Sequence, residues 1–395
     1  MSKKYATPLL DELKKGAFPS FVKEMEMAAE RSDMAADLLG LVELSYKEKV
    51  THWKHGGIVG VRGYGGGVIG RYSDIPDKFP GVAHFHTVRV NSPSGFYYTS
   101  DAIKEICDIW DKYGSGLTNV HGSTGDLVLL GTRTESLEPI FAELSSRGWD
   151  LGGSGSAMRT PSCCVGKSRC EWANIDSMAI TNDITHHFQD EMHRPAFPYK
   201  FKFKVAGCAV DCIASIARAD MSIIGTWKGD IRIDQTEVKN CETKGMNIQT
   251  EVIDMCPTGC MQWDGKQLKI DNSNCNRCMN CIARMPKALR PGTEQGATLL
   301  LGSKAPIVTG ALMSWVIVPF IKMEPPYEEF YELVGKIWEW WDENGKNRER
   351  IGELIERLSF PRFLKEVGLE PVAAMVKEPR RDPFFFWSEE DIIKK

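Results

Sequence analysis

The sequence lacks several features that would assign its class at once. It has no basic excess: 49 Lys and Arg stand against 53 Asp and Glu, a net charge of −4. That balance argues against a broad nucleic-acid-binding surface. It has no clean membrane span. The stretch that comes nearest, residues 305–321 (APIVTGALMSWVIVPFI), is uncharged for only seventeen residues and is interrupted by Pro306, Gly310 and Pro319. A buried strand or strand pair is the expected structure there. The opening Met1-Ser-Lys-Lys-Tyr-Ala-Thr-Pro8 is polar, with no apolar signal core, so a cytoplasmic protein is expected. No GxxxxGK[ST] loop is present, although residues 56–70 (GGIVGVRGYGGGVIG) hold eight glycines in fifteen residues. Close packing of a glycine-rich strand region against something large and flat explains that run as well.

What the chain does have is cysteine. Twelve are present, and eleven of them fall between Cys163 and Cys281. In 395 residues that are 42% hydrophobic and 26% charged, such bunching does not suggest a disulfide scaffold. Clustered reduced thiols usually hold metal.

The length suggests two or three domains. Helical spacing of apolar residues predicts helices over 8–15 and 18–31. An alternating strand follows over 84–90, a turn over 91–95, and a helix over 100–113 with Ile103, Ile106, Cys107 and Trp110 on one face. Strand 127–130 and helix 137–147 complete an α+β pattern. A Trp-rich helix is expected around 332–344 and a charged one over 349–358. The cluster of Trp338, Trp340 and Trp341 reads as core or subunit contact.

Cys275-x2-Cys278-x2-Cys281 has the spacing of the bacterial ferredoxin run, whose tight loop sets three thiolates around one face of an iron–sulfur cubane. The cysteine that would serve a second cluster is replaced by Met285, before Pro286, so this module should hold one cluster. Its fourth ligand lies upstream in Cys256-Pro-Thr-Gly-Cys260. Cys256 is favoured by the proline that follows it, and Cys260 is its rival. A four-cysteine zinc site is disfavoured, because three cysteines at successive x2 gaps crowd a tetrahedral ion. A hairpin is expected over 262–270 around the Asp264-Gly265 turn.

Cys164-x5-Cys170 and Cys208-x3-Cys212 supply four more candidate thiolates, with Cys163 adjacent to the first. Between the pairs, Phe197-Pro-Tyr-Lys-Phe-Lys-Phe-Lys-Val205 alternates. Lys200, Lys202 and Lys204 would share one face of a strand, and Tyr199, Phe201 and Phe203 the other. An exposed edge strand would tolerate three such lysines. An acidic ligand opposite them is the alternative, favoured by the glycine–cysteine motif that follows at once.

These motifs resemble the sulfite and nitrite reductases that couple sirohaem to a [4Fe–4S] cluster. With the ferredoxin module, the chain is similar to the dissimilatory sulfite reductase family, alpha-type subunits in particular. The likeness is carried by THWKHGGIVG, GYGGGVIGRYSD, GSGLTNVHGSTGD, GGSGSAMRTPSC, HRPAFPYKFKFKVAGC, IIGTWKGDI and the tail PRRDPFFFW, and it extends from Thr7 to Trp387. Cys260 and the pair Ser162-Cys163 depart from the family pattern.

The resemblance implies an α+β sirohaem fold of two related halves with an inserted ferredoxin-like domain. The boundaries would be 1–150, 151–233 with 297–395, and an insert over 234–296. It implies sirohaem and two [4Fe–4S] clusters, one on Cys164, Cys170, Cys208 and Cys212, the other on Cys256, Cys275, Cys278 and Cys281. Cys212 would bridge cluster and sirohaem iron. Arg71, Arg89, Arg159, Arg218, Lys200, Lys202 and Lys204 would meet the tetrapyrrole carboxylates. Arg89, Arg159, Lys200 and Lys202 would also face the anionic substrate, and His121, Ser123 and Thr124 would contact the macrocycle edge. The implied partners are a beta subunit, in an α2β2 assembly, and a small sulfur-carrier protein with a C-terminal cysteine. The implied activity is six-electron reduction of sulfite. A non-catalytic paralogue in the same complex, or another sirohaem sulfite or nitrite reductase, are the alternatives.

Overall fold

The glycine-rich run folds as a long hairpin, β1 (Trp53–Val61) against β2 (Tyr64–Ser73), in the computed structural model. The structure describes residues 4–16, 19–305 and 311–375. The expected helix start at Phe18, part of the apolar stretch 305–321, and the tail 379–387 lie outside the described residues.

Two compact units are formed. One comprises Met1–Thr160 and Thr185–Lys200, the other Pro161–Ile184 and Phe201–Lys395. In the first, the hairpin continues into β3 (Phe85–Val90), β4 (Gly114–Val120) and β5 (Leu127–Thr132). The antiparallel sheet has the order β1-β2-β3-β5-β4. Glycine here permits close approach: a Cβ on Gly65 would lie 2.8 Å from Pro195 Cδ. Helices Ser100–Tyr113 and Leu137–Ser146 add Ile106, Ile109, Trp110, Ile140 and Leu144 to a core with Val68, Val88 and Leu129 from the sheet. Helices Pro8–Leu13, Phe21–Ala29 and Asp33–Glu48 build a second core around Leu38, Leu41 and Phe79.

The helix over 100–113 forms as expected, but its buried face is shifted. Ile106, Ile109 and Trp110 are buried, whereas Ile103 and Cys107 are exposed. Trp110 fixes the rotation by donating its indole N–H to Leu117 O at 2.8 Å.

The second unit holds a mixed sheet of order β14-β13-β8-β7-β6. Its strands are β6 (Ser162–Cys163), β7 (Phe203–Ala206), β8 (Met221–Lys228), β13 (Glu294–Leu301) and β14 (Trp315–Ile321). β6, β7 and β8 run parallel, and β13 pairs antiparallel with both β8 and β14. β8 ends at Lys228 directly opposite Glu294, where β13 begins. The intervening chain can therefore leave and return without breaking the sheet. The short ladder of β9 (Arg232–Ile233) and β12 (Leu289–Arg290) ties its two ends. Within it lie the helix Gln235–Thr243 and the hairpin of β10 (Met261–Trp263) and β11 (Leu268–Ile270).

The helix Glu328–Asn344 covers β7. Trp338 packs edge-on against Phe201, with ring centroids 5.4 Å apart, Trp341 flanks Phe201, and Phe330 flanks Phe203. Each buried ring contributes roughly 1.5–3 kcal/mol. The tryptophans are core. Among the described residues no helix is long and apolar enough to cross a membrane.

Candidate functional site

β7 lies between two parallel neighbours, so it is not the edge strand that its lysines would suit. Lys204 is 5% exposed, and its ammonium donates to Ser162 Oγ at 2.9 Å. Burial lowers its pKa to about 8; Asp211 opposes that shift and the Arg218 charge adds to it. Lys202 extends the strand, its N–H donating to Asp220 Oδ2 (2.9 Å) and its O accepting from Met221 N (3.0 Å). Its ammonium donates to Arg218 O at 3.2 Å. Arg218 itself is exposed, at the end of the short helix Ser215–Arg218. Lys200, with its ammonium 5.0 Å from the Tyr199 ring centre, closes the first unit.

β7 leads directly into the first cysteine group. Cys208 has its thiol pushed up by burial and by the nearby sulfurs of Cys170, Cys164 and Cys212. Cys164, Cys170 and Cys212 thus lie near enough to Cys208 to perturb it. The Gly207 N–H donates to Cys164 Sγ at 3.1 Å, the kind of bond that tunes a cluster sulfur. Cys212 is exposed on a loop whose Asp211 and Ala214 adopt positive φ. Asp211 anchors that loop by accepting from Ser215 N and Ile216 N.

The second group surrounds a separate cavity lined by Cys256, Cys260, Cys275, Cys278 and Cys281. Arg277 and Met279 take positive φ, which wraps the x2 loop around that space. Burial pushes the Cys281 thiol up to about 12, reinforced by Cys275, Cys278 and, more weakly, Cys256. Cys256 is held below its usual value because backbone N–H groups of Cys260 and Thr258 outweigh its burial. All eight expected ligands are thiols outside any disulfide. Among the described residues no three His, Cys, Asp or Glu side chains converge on a single ion. Met285, in place of the second-cluster ligand, is fully buried in the module's own core.

The first unit carries Arg71, Arg89 and Arg159. Arg71 on β2 pairs with Phe85 of β3, and its buried Nε and Nη1 have no hydrogen-bond partner among the described residues. Burial lowers its pKa, and the neighbouring Arg89 charge adds to the effect. Arg89 is 9% exposed and donates to Asp126 Oδ2 at 3.2 Å. Arg159 Nη1 donates to Gly155 O at 2.7 Å. A half-buried guanidinium with two unsatisfied nitrogens beside a second one is costly unless an anion completes it. This is the environment that a polycarboxylate tetrapyrrole such as sirohaem would satisfy.

The His121–Gly125 loop is tied inward. Thr124 is buried, with Oγ1 2.8 Å from His121 Nδ1 and donating to Asp126 Oδ2 at 2.6 Å. Ser123 is half-buried on the same turn. Sequence reasoning missed Asp126, Asp220 and Arg350. Asp126 is completely buried, and its only sequence signal was the Gly-Ser-Thr-Gly-Asp run around it.

Two groups of free cysteines, the buried Lys204 beside one of them and Arg71 with two unsatisfied nitrogens are the donor types that thiolate-held iron and an anionic prosthetic group would use. The model described as "Nitrite and sulphite reductase 4Fe-4S domain" matches residues 154–373, and "Nitrite/Sulfite reductase ferredoxin-like half domain" matches 80–147. The dissimilatory-type sulfite reductase subunit alpha of Nitratidesulfovibrio vulgaris (strain Hildenborough) is 54% identical over 418 aligned positions, covering 98% of this chain and 96% of that one. Its counterpart from Allochromatium vinosum is 42% identical over 392, with 96% and 94% covered. The crystal structure of dissimilatory sulfite reductase I superposes with a TM-score of 0.89 at 51% identity, covering 98% and 96%. The chain belongs to the dissimilatory-type sulfite reductase alpha-subunit family, a family of oxidoreductases.

Proposed function

We propose that this chain is the alpha subunit of an enzyme that reduces sulfite by six electrons, with sirohaem coupled to one [4Fe–4S] cluster and a second cluster in the inserted module. The observation that carries the reading is that both cysteine groups are built into one core. Cys208, Cys275 and Cys281 pack in the same hydrophobic cluster. Asn174 joins the two groups, its N–H donating to Gly207 O at 2.8 Å and its amide donating to Met279 Sδ at 3.5 Å. Electrons entering at the module would have a short, fixed, buried path.

Bound, sirohaem and its cluster would supply the redox chemistry at sulfur. Cys164, Cys170, Cys208 and Cys212 would hold the adjacent cluster, with Cys212 as the bridge. Cys256, Cys275, Cys278 and Cys281 would hold the other. Arg71, Arg218 and Lys204 would take tetrapyrrole carboxylates, helped by His121, Ser123 and Thr124. Arg89, Arg159, Lys200 and Lys202 would bind the substrate anion and hold protons against the oxygens that leave as water. Asp126 keeps Arg89 oriented, because its carboxylate is buried and bonded on one oxygen to both Arg89 and Thr124.

A beta subunit is the proposed partner, supported by the 27% identity of this chain to the dissimilatory-type beta subunit of Archaeoglobus fulgidus over 81% of its length. Sulfur would leave as sulfide or on a small carrier protein with a C-terminal cysteine, and the cytoplasm is the proposed location. The test is the double variant Lys200→Ala/Lys202→Ala, produced with the beta partner. Sulfite turnover should be lost while sirohaem stays bound. Unchanged turnover would instead make this chain an electron-transfer or structural paralogue.

A further inference from the structure

The turn that carries Cys256 brings a fifth thiol into the second cavity. Cys260 Sγ is 3.5 Å from Cys256 Sγ, and both side chains line the same space. Two sulfurs in van der Waals contact address the same corner of a cavity. An iron of a cubane carries three sulfides and has room for one thiolate, so only one of this pair can be the ligand at a time.

The backbone shows why the second thiol is held ready. Gly259 takes φ +61, and its N–H donates to Cys256 O at 3.1 Å, closing a tight turn from one cysteine to the other. Cys260 O accepts from Asp271 N at 2.8 Å, which anchors it to the end of the hairpin. Pro257, Thr258 and Gly259 between them are exposed. This connector can shift without opening the core, while Cys260 itself stays buried at 7% exposure. A cysteine that merely filled core would have no need to face a cavity walled by four other thiols.

We propose that Cys260 is a reserve ligand for the cluster of the inserted module, taking the iron position of Cys256 when that thiolate is lost. The inference rests on reading this module as a [4Fe–4S] site. In the exchange Cys260 would give up its thiol proton and hold the iron that Cys256 leaves; the Cys256 sulfur would take up a proton or, where it has been alkylated, carry the alkyl group whose leaving group departs as an anion, and no electron changes hands. Damage to Cys256, for instance by alkylation, would then leave the electron path intact.

The test uses the full chain purified with its beta partner. Iron, labile sulfide and the electron paramagnetic resonance of the reduced clusters are measured for Cys256→Ala, Cys260→Ala, the double variant and Cys278→Ala. Cys278→Ala sets the loss expected when a ligand is not replaced, about four irons per chain. The proposal expects Cys256→Ala to keep its iron with an altered resonance, Cys260→Ala to match the unmodified protein, and the double variant to lose what Cys278→Ala loses. If Cys256→Ala loses as much iron as Cys278→Ala, the reserve role is overturned while the cluster reading stands. If Cys260→Ala loses iron and Cys256→Ala does not, Cys260 is the ordinary ligand and the proposal also fails. If Cys278→Ala loses no iron, the cluster reading itself falls. The comparison of Cys256→Ala with Cys278→Ala decides the matter even if the double variant does not accumulate.

Discussion

The carboxylate of Asp220 holds the backbone N–H of Lys202 at 2.9 Å on one oxygen and the Nε of Arg350 at 2.6 Å on the other. Asp220 is fully buried and Arg350 nearly so. The pair spans 130 residues of sequence. It fixes the point where β7 extends toward the lysines proposed to meet the substrate. Glu353 completes the set, accepting from Arg350 N at 2.8 Å and pairing with Lys304.

Removing one partner of a buried ion pair leaves the other charge uncompensated, at a cost of about 3–5 kcal/mol. Arg350→Met should therefore lower the denaturant midpoint markedly. Arg350→Lys, which keeps the charge but not the planar fork, should lose less stability. In both, sulfite affinity read from the absorption spectrum should weaken more than sirohaem content falls. Unchanged affinity in a destabilised Arg350→Lys protein would restrict Arg350 to a structural role.

Arg71 predicts opposite effects in two states of the protein. Its buried Nε and Nη1 have no partner among the described residues, and the Arg89 charge lies nearby. Arg71→Met removes a half-buried, repelled charge, so the cofactor-free protein should be as stable as the parent or more so. The same variant should purify with less sirohaem. A cofactor-free protein that is strongly destabilised by Arg71→Met would show that the guanidinium serves the fold.

Periodicity and spacing made much of this legible. The helix over 100–113 was readable from apolar spacing, but its rotation was set by the indole bond of Trp110 to Leu117, which no periodicity encodes. β4 (Gly114–Val120) escaped notice because Gly-Ser-Gly reads as loop. It is an edge strand, mostly exposed and paired only with β5, so it needs no apolar alternation. The alternation of Lys200, Lys202 and Lys204 was visible, yet burial of Lys204 follows from parallel neighbours on both sides, which are distant in sequence. The cysteine groups were legible because their spacing is local in sequence. Asp126, Asp220 and Arg350 were not, since each matters only through a partner brought to it by folding.

His52 gives a pH dependence with a definite sign. Its Nδ1 is 2.8 Å from Asp74 and its Nε2 is 2.7 Å from Glu48, joining the end of the helix Asp33–Glu48 to the chain just after β2. Asp74 first and then Glu48 raise its pKa above 6.5. The stabilisation is fully present below the unfolded value, and is lost as pH rises through the higher folded value. The difference in unfolding temperature between the parent and His52→Gln should be largest in mildly acidic solution and vanish at alkaline pH. A difference that grows with pH would contradict the assigned pairs.

The two cysteine groups should lose iron independently. Cys208→Ser takes a ligand from the group beside β7, and Cys278→Ser takes one from the module cavity. Each should remove about four irons per chain, and the double variant about eight, since the ligands belong to separate sets. Sirohaem separates the two variants. Cys208→Ser disturbs the cluster proposed to share Cys212 with sirohaem, so its sirohaem content should fall with the iron. Cys278→Ser should keep sirohaem and lose only the electron entry, lowering turnover with a physiological donor more than with a small reductant that reaches the sirohaem directly. Iron and sirohaem measured on the same samples would decide it, and loss of sirohaem in Cys278→Ser alone would reverse the order of the two stations.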